Sequence, residues 1–225
     1  MCGRYTTPGD TERIVRRFRI DEVRTPMRAL YNIAPQTEVP VVVQQDGKRI
    51  LGNVHWGLVP HSAESEKKGP HPINARAETV ATNSMFRDLL ARRRCLVVAD
   101  SFFEWQAAEG GKRPFRIQLK SKEPFAMAGL WDCWRPPGAG LDAPWLKTCT
   151  IVTVSPNDLI APLHDRMPAI LEPDEEDAWL DTTVGEPERL LPLLHPYPSS
   201  EMSRYEVSQA VNAVKNQGQE CVQPR

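Results

Sequence analysis

Cys2 offers this chain its most unusual chemistry. Methionine aminopeptidases remove Met1 when the next residue is small, and cysteine qualifies. The mature chain then begins with an α-amine and a thiol on adjacent carbons. Reference pKa values near ~8 for the amine and ~8.5 for the thiol leave a usable fraction of neutral amine at pH 7. Such a group condenses with an aldehyde to an imine. The thiol then closes on the imine carbon and gives a five-membered thiazolidine ring. Taken alone, position 2 reads more simply as one that tolerates any small residue.

Three further polar residues stand where strand patterns call for apolar ones. Asn74 lies in Ile73-Asn74-Ala75-Arg76. Glu104 ends Phe102-Phe103-Glu104-Trp105, and a carboxylate between aromatics is partly desolvated, which raises its pKa and suits acid-base work. An exposed edge residue is an equal reading of it. His164 lies in Leu163-His164-Asp165-Arg166-Met167-Pro168, a modest signal because histidines near turns often only hydrogen-bond. No Gly-rich phosphate loop, H-E-x-x-H or G-x-S-x-G is present. Cys95, Cys133, Cys149 and Cys221 form no C-x-x-C pair and no zinc spacing with the five histidines, so neither a metal nor a cofactor is expected. Cys95 and Cys149 read as small buried apolar residues, and Cys221 less firmly so.

The elements that position these residues come from patterning. Length suits one domain over 1–225. Hydrophobic residues at 40% and charged residues at 25% are globular values. The net charge of -1 lacks the global basic field that announces a nucleic-acid partner. No apolar run approaches the ~20 residues of a membrane span, and no secretory signal is visible, so a cytoplasmic location is expected. With 21 prolines the chain is rich in loops and edges.

Gly3 to Thr6 reads as a strand, with Thr7 capping a helix whose first position is Pro8. Ile14, Val15 and Phe18 share that helix's buried face, and its arginines read as solvated. Tyr31 to Pro35 reads as a loop. Glu38–Gln45 and Lys48–Val54 flank Asp46-Gly47, a hairpin signal. His61 to Pro72 reads as a mobile loop, and Ala81 to Arg92 as a helix capped by Ser84. Cys95 to Trp105 reads as one long strand, and Phe115–Leu119 with Phe125–Trp131 as a hairpin. Lys147–Val154 and Met167–Leu171 are strands, Pro173–Leu180 and Glu186–Leu194 helices. Hairpins outnumber helices, which predicts an α+β fold with mainly antiparallel sheet.

Met1-Cys2-Gly3-Arg4-Tyr5, Tyr31-Asn32-Ile33-Ala34-Pro35, Trp56-Gly57-Leu58-Val59-Pro60, Ile73 through Thr79, Arg94 through Val97, Asp100 through Trp105 and His164 through Pro168 occur in order. Val207-Ser208, Val211-Asn212 and Asn216 follow. This ordered set resembles the SOS-response-associated peptidase (SRAP) family from residue 1 to about Pro224. The resemblance implies a barrel-like, two-sheet core with short flanking helices. It implies recognition of abasic sites in single-stranded DNA and a covalent DNA–protein crosslink through Cys2. Asn74 would position the N-terminal group or the sugar, Glu104 would move protons, and His164 would support proton transfer on the sugar oxygen. DNA contact would fall to Arg4, Asn32, Arg76, Trp105 and Arg166, with Trp56 more structural than stacking. A structural alternative for Arg166 is pairing with Asp165 or another acidic neighbour. A monomer near the nucleoid, without membrane contact, is expected. The chain departs from the pattern at His61-Ser62-Ala63, where the family often carries wedging aromatics, which puts junction preference in doubt. Ser101 and Phe103 replace the usual glycine and tyrosine, read as packing changes.

Two other functions use the same residues. An N-terminal-nucleophile peptidase would attack a peptide carbonyl with the Cys2 thiolate, served by Glu104 and His164. A non-catalytic binder of single-stranded DNA would leave Cys2 incidental. A lyase side reaction would follow from an imine that outlives capture by the thiol.

Overall fold

The computed structural model describes residues 2–140 and 142–225. Met1, whose removal the chemistry above invokes, lies outside the described residues. In chain order the first elements are β1 (Tyr5–Thr7), α1 (Thr11–Phe18), β2 (Glu22–Val23), β3 (Leu30–Ile33), β4 (Glu38–Gln45), β5 (Lys48–Trp56) and β6 (Asn74–Arg76). Then come α2 (Ala77–Val80), α3 (Arg87–Arg92), β7 (Arg94–Ala99), β8 (Ser101–Ala108), β9 (Gly111–Leu119), β10 (Phe125–Trp134) and β11 (Leu146–Val154). The last are β12 (Met167–Pro168), β13 (Ile170–Leu171), α4 (Glu175–Leu180), α5 (Pro187–Leu190) and β14 (Met202–Glu206).

These strands form the expected α+β architecture. β5-β4-β7-β10-β11 pair in succession, and a parallel contact of β11 with β5 at Thr148↔His55 and Cys149↔Trp56 closes them into a barrel. β14-β9-β8-β1-β3 form a separate five-stranded sheet. Both faces of the barrel strands carry buried β-branched and aliphatic side chains, Val42, Leu51, Leu96 and Ala128 on one and Val97 and Ile151 on the other. Near-continuous apolar runs on β7 and β10 suit strands covered on both faces. Among the described residues no helix is long and apolar enough to cross a membrane.

The two layers are joined at Asp100. The run from Cys95 to Trp105, read as one strand, is two: β7 pairs with β10 in the barrel, while β8 pairs with β1 and β9 in the sheet. Polar side chains mark the switch. Thr6 Oγ1 donates to the Asp100 carboxylate and shares a hydrogen bond with Ser101 Oγ, and Arg116 Nε donates to Ser101 Oγ at 2.7 Å. Ser101 is thus part of the joint rather than a packing change.

Other expectations meet corrections. Asp46 (φ 51°) and Gly47 (φ 75°) form the turn of the β4–β5 hairpin, as their types demand. By contrast β9 and β10 do not pair with each other: β9 lies between β8 and β14, and β10 between β7 and β11. The cap of α1 is Asp10, whose carboxylate accepts from Arg13 N, not Thr7. Tyr31 to Ile33 lies in strand β3 because Ile33 pairs with Tyr5. Ala81 to Arg92 holds only the short α3, entered from Phe86 without a side-chain cap. Arg17 is not solvated, because it grips the buried Glu176 carboxylate of α4 at 2.7 and 3.1 Å. The His61–Pro72 loop is tied at its start, where Asp132 accepts from His61 N and Nδ1 and Trp134 Nε1 donates to Ala63 O.

Arg94 follows Arg92 and Arg93 at the end of α3, where exposed cations would complement a helix dipole. It is 1% exposed and donates to the carbonyls of Leu90, Ala91, Trp179, Asp181 and Val184. It therefore caps α3 and anchors the end of α4 at once. Removing it strands five buried acceptors, each costing about 1 kcal/mol or more. Arg94→Met is expected to lower unfolding free energy by at least about 3 kcal/mol in urea titrations. A loss below about 1 kcal/mol would contradict this role.

Candidate active site

The N-terminal strand brings Cys2 to the carboxyl of Glu104. β1 runs antiparallel to β8 with Tyr5↔Phe102 and Thr6↔Ser101, and Phe103 N donates to Arg4 O at 2.9 Å. Beyond the strand the chain runs through Gly3 to Cys2, which lies close enough to Glu104 for the carboxylate charge to act on its thiol. Cys2 is fully buried in the main core cluster. Burial pushes its thiol pKa up, and the nearby Glu104 charge pushes it further, while the Arg4 backbone N–H opposes both. The sulfur is therefore a protonated thiol, not a resting thiolate.

Glu104 is 3% exposed, at the inner end of an open pocket of about 580 Å³. Burial raises its carboxyl to about 8, with Asp165 adding to the rise and Lys112 and the Trp105 backbone N–H acting against it. At neutral pH it is mainly a neutral acid, as the aromatic neighbourhood predicts. His164 lines the same pocket. Burial lowers its pKa below that of a free imidazole, although Asp165 pulls upward. His164 Nδ1 lies 3.0 Å from the Arg166 amide and 2.9 Å from the Asp165 carboxylate, which together hold the ring in place. A neutral carboxylic acid and a neutral imidazole thus face one cavity, able to give and take protons.

Arg4 and Trp105 complete the wall. Arg4 Nη1 donates to Asn32 Oδ1 at 2.6 Å and to Val211 O at 2.7 Å, and its guanidinium lies 5.6 Å from the centre of the Trp105 ring system. Trp105 Nε1 donates to Asn212 Oδ1. Asn32 is fully buried, and its Nδ2 donates to the carbonyls of Val211, Ala213 and Asn216. The expected direct contact of Asn32 with DNA is therefore corrected: it has no exposed surface and holds Arg4 and the C-terminal turn instead.

The remaining expected residues sit beside this pocket, not in its wall. Asn74 and Arg76 are on β6, paired with β11 at Ile151 and Thr153. Arg76 is exposed and makes no side-chain hydrogen bond among the described residues. Arg166 follows His164 by two residues and grips the Glu78 carboxylate at 2.6 and 2.9 Å, with Thr153 O as a further acceptor. The acidic neighbour weighed for it is thus Glu78. Trp56 is fully buried, donates to Ile73 O at 2.9 Å and stacks edge-on against Tyr5 at 5.3 Å, a structural role.

Two residues of the pocket wall, Glu104 and Arg4, carry buried polar atoms without a partner, as do Asn74 and Arg166 beside it and, outside the wall, Tyr5, His71 and Thr150. Asn74 Oδ1 and Nδ2, Glu104 Oε1, Arg4 Nε and Arg166 Nε are all buried without a hydrogen-bond partner. Buried polar groups are rarely left so, and a cluster of them marks a place where a polar ligand supplies the missing bonds. Lys112, Gln209 and Asn212 also line the pocket and were not anticipated. Glu109-Gly110-Gly111 just before Lys112 was a turn signal that could have placed it. Among the described residues no group of three His, Cys, Asp or Glu could hold a metal ion.

The profile of the SOS response associated peptidase (SRAP) family matches residues 1–214. A Bacillus subtilis protein named abasic site processing protein YoqW is 39% identical over 226 residues, covering 99% of either chain. Escherichia coli abasic site processing protein YedK is 33% identical, covering 86% of this chain and 84% of its own. A crystal structure of a Bacteroides thetaiotaomicron protein superposes with a TM-score of 0.88 at 24% identity and covers both chains completely, which establishes the fold.

The raised Glu104 pKa carries a stability signature. Between the unfolded-chain value near ~4.3 and about 8, the folded protein keeps a proton that the unfolded chain releases. Stability therefore falls as pH rises through this window. Glu104→Gln is expected to melt close to wild type near pH 5 and several degrees above it near pH 8.5. Equal pH slopes in thermal melts of the two proteins would contradict a buried neutral carboxyl.

Proposed function

The chain belongs to the SOS response associated peptidase family, and from that premise we propose that it captures abasic sites in single-stranded DNA as a covalent adduct of Cys2. The relatives named abasic site processing proteins support the lesion as substrate. The observation that carries the chemistry is the nearness of Cys2 to a buried, protonated Glu104 that lines an open pocket and keeps one carboxyl oxygen without a hydrogen-bond partner.

An abasic deoxyribose opens to an aldehyde at C1′. Glu104, as an acid, protonates the ring oxygen as the C1′–O4′ bond breaks, while the C1′ hydroxyl proton leaves to give the carbonyl and, passed through solvent, restores the Glu104 acid. Once Met1 is cleaved, the Cys2 amine adds to C1′, and the carbonyl oxygen becomes a hydroxyl. Protonation by Glu104 expels that hydroxyl as water and leaves an imine. The Cys2 sulfur then bonds to C1′, and the thiol proton passes to the imine nitrogen with help from His164. The sum is one C–N and one C–S bond formed and one water lost. Asn74 supplies amide hydrogen bonds to the sugar or the new amine. Arg4, Arg76 and Arg166 hold phosphates, Arg166 by exchanging Glu78 for the strand. Holding these groups about one carbon substitutes geometry for collision.

The protonated Cys2 thiol must give up its proton as it adds to the imine, and the imine nitrogen in the same forming ring is the base that takes it. The peptidase alternative asks the same sulfur to attack an unactivated amide, for which a thiolate is needed.

Cys2→Ala is expected to abolish the heat-stable band shift on denaturing gels with abasic oligonucleotide. Cys2→Ser keeps the amine but loses fast sulfur capture, so stable adduct falls and strand cleavage rises. A wild-type level of stable adduct from Cys2→Ala would sink the assignment. Adduct formation is expected to slow as pH rises through about 8, where Glu104 loses its proton. Glu104→Gln should reduce the rate by about a hundredfold or more and remove that limb. An unchanged limb would mean that another group is the acid.

A further inference from the structure

We propose that Lys112 binds a phosphate of the strand next to the lesion, making the β8–β9 turn part of the DNA-binding face. This rests on the reading of the pocket as a single-stranded DNA site.

Three features of the turn support it. Trp105 pairs with Pro114, and Ala107 with Lys112, so Lys112 shares a sheet face with Trp105 and lies two pairs closer to the turn. Diagonal neighbours of this kind have side chains rooted about 7–8 Å apart, roughly the reach from a nucleotide on Trp105 to its phosphate. Lys112 lines the pocket, and its ammonium makes no hydrogen bond or ion pair among the described residues. The other cation in the wall, Arg4, already spends Nη1 on Asn32 and Val211. The next residue, Arg113, is locked on Glu206.

The turn is also shaped for close approach. Gly110 (φ 84°) and Gly111 (φ 145°) adopt backbone angles that L side chains rarely take. Nothing lies within 4 Å of where a Cβ would project from either, so a strand meets bare backbone there. With Glu104 neutral below about 8, Lys112 and Arg4 leave the pocket positive at neutral pH. The Lys112 charge already acts on Glu104 and His164, drawing both pKa values down, so it stands close enough to bind a phosphate flanking the reacting sugar.

The test is a salt titration of binding to an undamaged single-stranded oligonucleotide, read by fluorescence anisotropy. Neutralising one phosphate contact lowers the slope of log affinity against log salt by about 0.7 in magnitude for single strands. Lys112→Gln is expected to show that drop together with weaker binding at low salt, and Lys112→Arg to restore the slope. Arg113→Gln, beside it but paired to Glu206, should keep the wild-type slope. A Lys112→Gln slope equal to wild type would overturn the proposal. The wild-type protein, assayed separately for adduct with an abasic strand, tells the two readings apart. Adduct with no Lys112 effect on the slope defeats this proposal alone. A slope effect without any adduct supports Lys112 and defeats the covalent reading.

Discussion

The antiparallel pairing of Tyr5–Thr7 with the start of β8 is the constraint on which the site depends. A chain end is normally the least ordered part of a domain unless something ties it down. Here the ladder does so, and the polar joint of Thr6, Asp100, Ser101 and Arg116 locks its register. A slip of one residue would turn the side chains of β1 to the opposite face and shift the chain that carries Cys2 against Glu104. The same joint passes the chain from barrel to sheet, so the apolar β7 becomes the foundation on which the reactive β8 is mounted.

Burial then sets the chemistry. It keeps the Glu104 carboxyl protonated, the Cys2 thiol protonated and the His164 imidazole neutral. Of the three, the carboxyl is the one that would be an ion in water at neutral pH, and burial holds it uncharged beside the other two. The C-terminal segment completes the enclosure. Asn32 binds three of its carbonyls and also Arg4, and Gln217 Nε2 returns a bond to Asn32 O, so the last turn and the first strand support one another.

Much of this was legible in the residues. Asp46-Gly47 announced its hairpin, because two positive backbone angles leave few other choices. Phe102-Phe103-Glu104-Trp105 announced a carboxyl in an apolar setting, and Glu104 is one. Cys2 could be singled out by position, but its place beside Glu104 depends on a pairing between residues about a hundred positions apart, which local patterning does not encode. The same limit explains the strand that was two strands: Asp100 interrupts a run that is apolar on both sides, and only the tertiary switch gives the interruption meaning. The family resemblance implied that Asn32 and Arg166 contact the ligand. The structure gives Asn32 to the backbone and Arg166 to Glu78, partners far away in sequence. Lys112 escaped notice because one lysine after two glycines reads as an ordinary turn.

The central claim is that the bond to DNA forms at the amine and sulfur of residue 2. Mass spectrometry of the wild-type adduct after tryptic digestion tests it most directly. The account predicts that the crosslinked peptide is Cys2-Gly3-Arg4 without Met1, and that its mass equals peptide plus abasic nucleotide fragment less one water. An adduct that retains Met1, or one that maps to Lys112 or to any other side chain, would contradict it.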